Sequence, residues 1–170
     1  MIDLVERLAR ARIGSTYNQY ARSELRRARL RAYLDARAEA AVVLVGEAAG
    51  YRGARISGLA FTSERQLTGE GPSEASATIV QRTLAELGIE DDVLLWNVVP
   101  THPGTPGSNR RPTRAEVDAA RPFLMELTYG RRVVAVGRVA ASVLDAAYVR
   151  HPARGGGAAF AAGLRRTLGK

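Results

Sequence analysis

The chain contains no cysteine, which excludes disulfides, thiol catalysis and any zinc or iron–sulfur site held by cysteine. It has only two histidines, His102 and His151, which argues against a structural metal site. No apolar run approaches the roughly 20 residues of a membrane span, and the N-terminal residues lack the apolar core of a signal peptide. We therefore expect a soluble, cytoplasmic protein that needs no metal and no other cofactor.

Lysine is also almost absent, because Lys170 is the only one among 25 basic residues. Against 17 acidic residues this leaves a net charge of +8, carried by arginine. Arginine matches phosphate geometry and stacks on bases, so the excess favours a nucleic-acid partner. A GC-rich genome explains the choice of arginine over lysine equally well, but it does not explain the net excess.

The length of 170 residues and a hydrophobic content of 46% predict one domain over residues 1–170. Residues 1–40 form a basic, helical N-terminal part of that domain, with apolar residues at helical spacing in 2–13 and 20–39. Nothing in the sequence indicates oligomerisation, and we expect a monomer.

Apolar runs alternate with helical patterns along the rest of the chain, which predicts an α/β fold with a mainly parallel sheet and helices on both faces. The predicted strands are 41–45, 93–99, 132–136 and 147–150. The predicted helices are 74–87 with Ser73 as N-cap, 113–129 with a Thr113–Glu116 capping box, 137–144 and 157–168. The long segment 51–71 indicates a functional loop, and the Pro-rich and Gly-rich segment 100–112 predicts no regular structure.

Polar side chains follow three of the predicted strands, where ligands bind in an open α/β sheet. Glu47 lies in the turn Gly46–Gly50, Asn97 ends the second strand, and His151 follows the fourth. Glu47 can act as an acid or base, the Asn97 carboxamide suits a pyrimidine edge, and His151 stands at a sharp turn. Each also has a structural interpretation: a packing turn, a capping asparagine and a packed histidine.

Loop residues offer further candidates. Phe61 in the polar segment 51–71 either stacks on a base or anchors the loop. The arginines Arg110, Arg111, Arg114 and Arg154 either hold phosphates or form a solvated charged face. For His102, in the Pro-rich loop, the solvated interpretation is favoured.

In their order, these residues resemble the uracil-DNA glycosylase superfamily. Gly46–Gly50 is similar to the first family motif in its GEAPG form, Asn97 in LLWNVV to the base-reading asparagine, and His151-Pro152-Ala153 to the HPS/HPA motif. Two further segments, 109–124 and 134–138, resemble the NRTPT…E…CRPYL and VALGR segments of the thermophilic-type branch. The similarity runs from about residue 41 to 168 and is specific in combination.

The resemblance implies a three-layer α/β/α sandwich with a four-stranded parallel sheet, and a pocket for a base flipped out of DNA. Phe61 would stack on uracil, Asn97 would read its edge, and His151 would donate to O2. Glu47 would position or activate water, with Ala48 and Gly50 beside the base. The DNA-binding residues would be Arg110 and Arg111, together with Arg154, Gly155 and Gly156 in the loop after His151.

The chain departs from the family pattern at three positions. The GEAPG branch usually carries a four-cysteine iron–sulfur cluster, but Thr101 stands where the resemblance would put one ligand, so we expect a cluster-free relative. Ala49 replaces the usual proline, which leaves the turn less restricted. Ala48 stands where other branches have a catalytic Asp or Asn. Positioning or activation of the water would therefore fall to Glu47 or to Glu64.

The predicted function is hydrolysis of the N-glycosidic bond of deoxyuridine in DNA, leaving an abasic site. With Lys170 as the only lysine, a Schiff-base lyase step is not expected. The alternative is a protein that binds uracil-containing or damaged DNA without turnover, which the apolar Ala48 permits. A small-molecule nucleotide enzyme ranks last, because the chain has no Gly-rich phosphate fingerprint before its first helix.

Overall fold

The computed structural model describes residues 2–170, with side chains from Leu4 onward. The elements follow in the order α1 (Ile2–Arg10), α2 (Glu24–Ala36), β1 (Val42–Ala48), α3 (Ala54–Ser57), α4 (Glu64–Thr68), α5 (Ala75–Leu87), β2 (Val93–Val99), β3 (Gly104–Thr105), β4 (Ser108–Asn109), α6 (Arg114–Thr128), β5 (Arg132–Val136), α7 (Arg138–Val143), β6 (Ala147–Val149) and α8 (Gly157–Leu168).

The main sheet has four parallel strands in the order β2-β1-β5-β6. Strand β1, between β2 and β5, is apolar on both faces, since Val43, Leu44 and Val45 are fully buried. One face packs against α1 and α2 through leucines such as Leu8 and Leu34. The other face packs against α5 and α8. The predicted three-layer α/β/α sandwich with a parallel four-stranded sheet is therefore confirmed.

The N-terminal residues belong to the same hydrophobic core as the sheet. Leu4, Val5 and Leu8 of α1 are completely buried in the cluster that contains the strand residues Val45 and Leu94. In addition, Tyr17 pairs with His102 through two backbone hydrogen bonds of 2.9 and 3.0 Å. Helices α1 and α2 of this basic N-terminal part thus cover one face of the sheet. None of the helices within residues 2–170 has the length and apolarity needed to cross a membrane.

Strand β1 runs three residues beyond its predicted end. Its ladder with β2 continues, pairing Gly46 with Asn97 and Ala48 with Val99, so Glu47 lies within the strand rather than in a turn. Interstrand hydrogen bonds are not visible in an apolar pattern, which explains why the sequence placed the end at residue 45.

One loop prediction and one helix-cap prediction also need correction. The segment 100–112 was predicted to lack regular structure, but it forms the small antiparallel hairpin β3–β4, closed by a 2.8 Å hydrogen bond between the Thr105 and Ser108 hydroxyls. Helix α5 has Glu74 rather than Ser73 at its N-cap, and the Glu74 side chain makes no capping hydrogen bond. The Thr113–Glu116 capping box of α6 is confirmed.

Candidate active site

A cavity of about 760 Å³ lies at the carboxyl ends of the parallel strands. Residues at the ends of all four strands contribute to its wall. The sequence argument predicted three of these ends, those of β1, β2 and β6. The cavity brings together eight of the predicted site residues, namely Glu47, Ala48, Gly50, Phe61, Asn97, Arg110, His151 and Arg154. Arg111, Gly155 and Gly156 do not line it. The chemical roles of all these residues remain predictions.

Gly46 allows the cavity to form at the junction of β1 and β2. A Cβ atom at this position would lie 2.5 Å from Phe61 Cζ and 2.7 Å from Asn97 Oδ1. Both distances are far inside van der Waals contact, so a side chain here would displace the aromatic ring and the carboxamide together. The glycine of the first motif is therefore required by packing against two other predicted site residues.

The Asn97 carboxamide makes no hydrogen bond to any described residue, and its polar atoms are accessible from the cavity. Its residue is only 5% exposed, and it lines the cavity. Buried amides normally find partners inside the protein, because an unpaired polar group costs free energy. The capping interpretation is therefore wrong, since no backbone group pairs with this side chain. Its donor and acceptor are available to a ligand.

His151 is held in one tautomer by its own loop. The backbone N–H of Ala153 donates to His151 Nδ1 at 3.1 Å, so in the neutral ring the proton is on Nε2. Burial lowers the pKa of His151 below its usual value, which favours this neutral form. The ring thus offers a hydrogen-bond donor to the cavity without carrying a charge.

Glycines support the His151 loop from two sides. A Cβ at Gly137 would lie 3.2 Å from His151 Cβ, and one at Gly156 would lie 2.2 Å from the His151 carbonyl oxygen. Gly156 is buried and packs against the His151 backbone. Gly155 is exposed and has a positive φ of 74°. Of these two predicted DNA-binding glycines, only Gly155 is exposed at the surface.

Phe61 and Arg154 both have a backbone conformation that is rare for non-glycine residues. Their φ angles are 49° and 53°, and they are the only non-glycine residues with positive φ in the described chain. Such conformations cost of order 1–3 kcal/mol and cluster at functional sites. Both residues line the cavity, and the Phe61 ring lies 6.3 Å from the His151 ring between centroids. Strain in this chain is therefore concentrated around the cavity.

Glu47 is a half-buried carboxylate without a hydrogen-bond partner among the described residues. Burial raises its pKa above the usual value, and the nearby positive charge of Arg111 partly offsets this effect. Glu64, the alternative residue for the water, is outside the cavity. Its carboxylate accepts two hydrogen bonds from Arg29, at 2.8 and 2.9 Å, and these lower its pKa. The geometry favours Glu47 over Glu64 as a proton acceptor in the cavity.

The arginines around the cavity differ in how they are engaged. Arg110 lines the cavity, but both terminal nitrogens donate to the buried Glu116 carboxylate, at 2.6 and 2.8 Å. Arg138, Arg150 and Arg154 are exposed at the cavity and make no ion pair with any described residue. Arg114, which the sequence grouped with Arg110, Arg111 and Arg154, approaches Asp118 at 3.9 Å and does not line the cavity.

His102 has a structural role, and its predicted solvated position is wrong. It is completely buried, with Nδ1 2.7 Å from the Ala49 carbonyl oxygen and Nε2 2.8 Å from the Thr105 carbonyl oxygen. The ring therefore connects the end of the first motif to the β3–β4 hairpin. The neighbouring Pro-rich sequence suggested solvent exposure, whereas pairing with Tyr17 encloses this loop.

The position that would hold a cluster ligand in the GEAPG branch is part of the packed interior. The hydroxyl of the buried Thr101 lies 2.6 Å from that of Thr16. Within the described residues, no group of three or more His, Cys, Asp or Glu side chains is arranged to hold a metal ion. The residues present do not fit an iron–sulfur cluster.

Several cavity residues were missed by sequence reasoning. Glu74, Ser76, Arg138, Tyr148 and Arg150 all line the cavity. Arg150 directly precedes the His151 motif, and this adjacency was an available signal. Glu74 and Ser76 come from the start of α5, which no local motif connects with the strand ends.

The fold and this cavity define an α/β protein of the uracil-DNA glycosylase type. The family model for the uracil DNA glycosylase superfamily matches residues 34–165, and the chain belongs to that superfamily. Among solved structures, it is similar to wild-type SMUG2 from Pedobacter heparinus. That match has a TM-score of 0.65 and 14% identity, and covers 89% of this chain and 86% of the other. No curated protein sequence gave a significant match.

Proposed function

We propose that this protein is a monofunctional uracil-DNA glycosylase, which removes uracil from DNA and leaves an abasic site. The observation that carries the proposal is the unpaired Asn97 carboxamide, which lines the same cavity as the Phe61 ring and the His151 imidazole. A flat apolar ring and an amide with a free donor and acceptor are suited to a planar pyrimidine. Superfamily membership supports DNA as the source of that base.

In the proposed reaction, the C1′–N1 bond breaks and its electron pair stays on the leaving uracil. The water oxygen bonds to C1′ and one water proton passes to Glu47. Glu47 then releases this proton to solvent, and solvent supplies the proton that neutralises the uracil anion. His151 Nε2–H stabilises the negative charge that develops on O2, and the partly desolvated cavity strengthens this interaction. A neutral imidazole suits this role because it donates a hydrogen bond without having to lose its proton.

DNA binding is proposed to use the exposed arginines at the cavity mouth. Arg138, Arg150 and Arg154 are not engaged by acidic side chains of the described chain, so they are available for phosphates. One copy of the chain supplies all of these residues, which supports action as a monomer. The base must leave the helix to reach Asn97, and the mouth arginines would hold the flanking backbone.

The test is incubation with an end-labelled oligonucleotide that contains one uracil, opposite guanine, opposite adenine or unpaired. We expect strand cleavage only after alkali, which identifies an abasic product. Cleavage without alkali would contradict a monofunctional mechanism. An oligonucleotide without uracil is the substrate control.

A second candidate is binding of uracil-containing DNA without turnover. It is favoured by one observation: Ala48 presents only a methyl group to the cavity. In that case the labelled oligonucleotide would be shifted in a gel, in a salt-dependent way, with no abasic product. The same assay therefore separates the two candidates.

A further inference from the structure

Glu74 is a second carboxylate in the cavity that the proposed reaction leaves unused. It precedes α5, and its side chain turns away from the helix and lies against the turn Gly50–Gly53. A Cβ at Gly50 would lie 2.1 Å from Glu74 Oε1, and a Cβ at Gly53 would lie 2.1 Å from Oε2. Both glycines are therefore needed to leave room for this carboxyl group.

The carboxyl group of Glu74 has no hydrogen-bond donor among the described residues. The carboxylates of Glu64 and Glu116 each form an ion pair with an arginine, and Glu47 lies near Arg111. The pKa of Glu74, by contrast, is raised by burial alone. A partly buried acceptor that lines a binding cavity without a partner is costly unless the ligand supplies the donor. The chain therefore maintains an acceptor on the Gly50 side of the base cavity.

We propose that Glu74 is a specificity-determining residue that reads the edge of the base facing the Gly50–Gly53 turn. It favours a base with an O–H or N–H donor on that edge over the same base with a methyl group there. This inference rests on the proposed function. If Asn97 reads the amide edge of a pyrimidine and His151 contacts O2, the edge left for Glu74 is the one that bears C5. A methyl group there would remove water from the carboxyl oxygens and offer nothing in return.

The probes are oligonucleotides containing 5-hydroxymethyluracil, thymine or uracil, because the first two differ by a single oxygen atom. Single-turnover excision is measured for the wild type, Glu74→Met and Glu74→Gln. Methionine keeps an unbranched side chain of similar length but removes both acceptors, whereas glutamine keeps one. Glu70→Met is the matched control, because this exposed glutamate lies in the same connection but outside the cavity.

We expect the wild type to favour 5-hydroxymethyluracil over thymine by about tenfold or more, the effect of one hydrogen bond to a charged group. Glu74→Met should abolish this preference, and Glu74→Gln should retain most of it. Equal loss on all three bases with an unchanged ratio would overturn the proposal. It would indicate a role in folding or in water placement instead.

A binding measurement separates this inference from the proposed function. Oligonucleotides with 2′-fluoro sugars resist glycosidic hydrolysis, so their dissociation constants report base preference even if the protein has no turnover. A wild-type preference that disappears in Glu74→Met supports the role of Glu74 when excision is absent. Equal wild-type affinity for the two 5-substituted bases would overturn it, whether or not uracil is excised.

Discussion

The Phe61 and His151 rings lie with their centroids 6.3 Å apart and their planes inclined at 39°. Phe61 comes from the connection after β1, and His151 follows the last strand of the sheet. Their proximity places an apolar ring face and a neutral hydrogen-bond donor at one cavity, beside the unpaired Asn97. Separate predictions follow for Asn97 and for His151.

Asn97→Ala should lower uracil excision strongly while the free energy of unfolding stays the same or rises. The carboxamide stabilises nothing within the described chain, so its removal costs no internal hydrogen bond. Single-turnover excision and urea denaturation measure the two effects.

Asn18→Ala is the matched control for that experiment. The Asn18 amide nitrogen donates to the carbonyls of Leu8 and Ala11, at 2.8 and 3.0 Å, and lies outside the cavity. This variant should lose stability and retain its rate per folded molecule. Equal stability losses in both variants would contradict a ligand-binding role for Asn97.

His151→Ala should lower the rate of excision by roughly 10²–10³, the usual cost of removing one donor from a developing oxyanion. His151→Gln should recover part of the rate, because its side-chain amide can donate from a similar position. The comparison requires rates at saturating protein, so that weaker DNA binding does not contribute. Identical rates for the two variants would argue against a donor role.

Glu47→Gln should remove the acidic limb of the pH profile, which is the decrease in kcat/KM as the pH falls. Burial raises the pKa of Glu47, so protonation as the pH falls through that raised value removes the proton acceptor. In the wild type, kcat/KM should therefore fall at a pH above the usual carboxylate range, and the residual activity of the variant should not show this step.

Glu64→Gln is the control for this profile. Arg29 lowers the pKa of Glu64 and holds its carboxylate outside the cavity, so its replacement should leave the acidic limb in place. If the limb disappears in Glu64→Gln and survives in Glu47→Gln, the assignment of the proton acceptor is wrong.

Gly46→Ala should reduce both stability and excision. The added methyl group would meet Phe61 Cζ at 2.5 Å and Asn97 Oδ1 at 2.7 Å, and such overpacking typically costs about 1–3 kcal/mol. Gly107→Ala introduces the same methyl group into open space and should change neither property. Thermal unfolding and the uracil excision assay test the pair, and an active, fully stable Gly46→Ala protein would contradict the packing argument.

Glu116→Gln should lower the free energy of unfolding by about 1–2 kcal/mol at neutral pH, because it breaks the ion pair between the buried Glu116 carboxylate and the solvent-exposed Arg110. Arg110 lowers the pKa of Glu116 to about 2. A carboxylate with a lowered pKa in the folded state contributes its full stabilisation above the ordinary carboxyl pKa, and loses it as the pH falls towards 2.

Urea denaturation of the wild type and Glu116→Gln at pH 7 and pH 3 checks this linkage. The difference in stability between the two proteins should be smaller at pH 3. A difference that is the same at both values would show that the Arg110–Glu116 ion pair is not its source.

The sequence by itself determined the elements whose signals are local. Strands β2 and β5 and helix α8 have their predicted bounds, and the Thr113–Glu116 box begins α6 as expected. Apolar runs, caps and glycine ends are properties of neighbouring residues, so they can be recognised in a linear pattern. The family motifs also indicated Glu47, Asn97 and His151 as residues of one cavity.

Only the tertiary structure decided how polar groups are paired. It enclosed His102 between two carbonyl oxygens, engaged Arg110 with Glu116, and left Asn97 and Glu74 without partners in the cavity. These outcomes depend on contacts between residues far apart in the chain, such as Glu74 with Gly50. Residue type states what a side chain can donate or accept, but the packed fold determines which groups it meets and which remain available to a ligand.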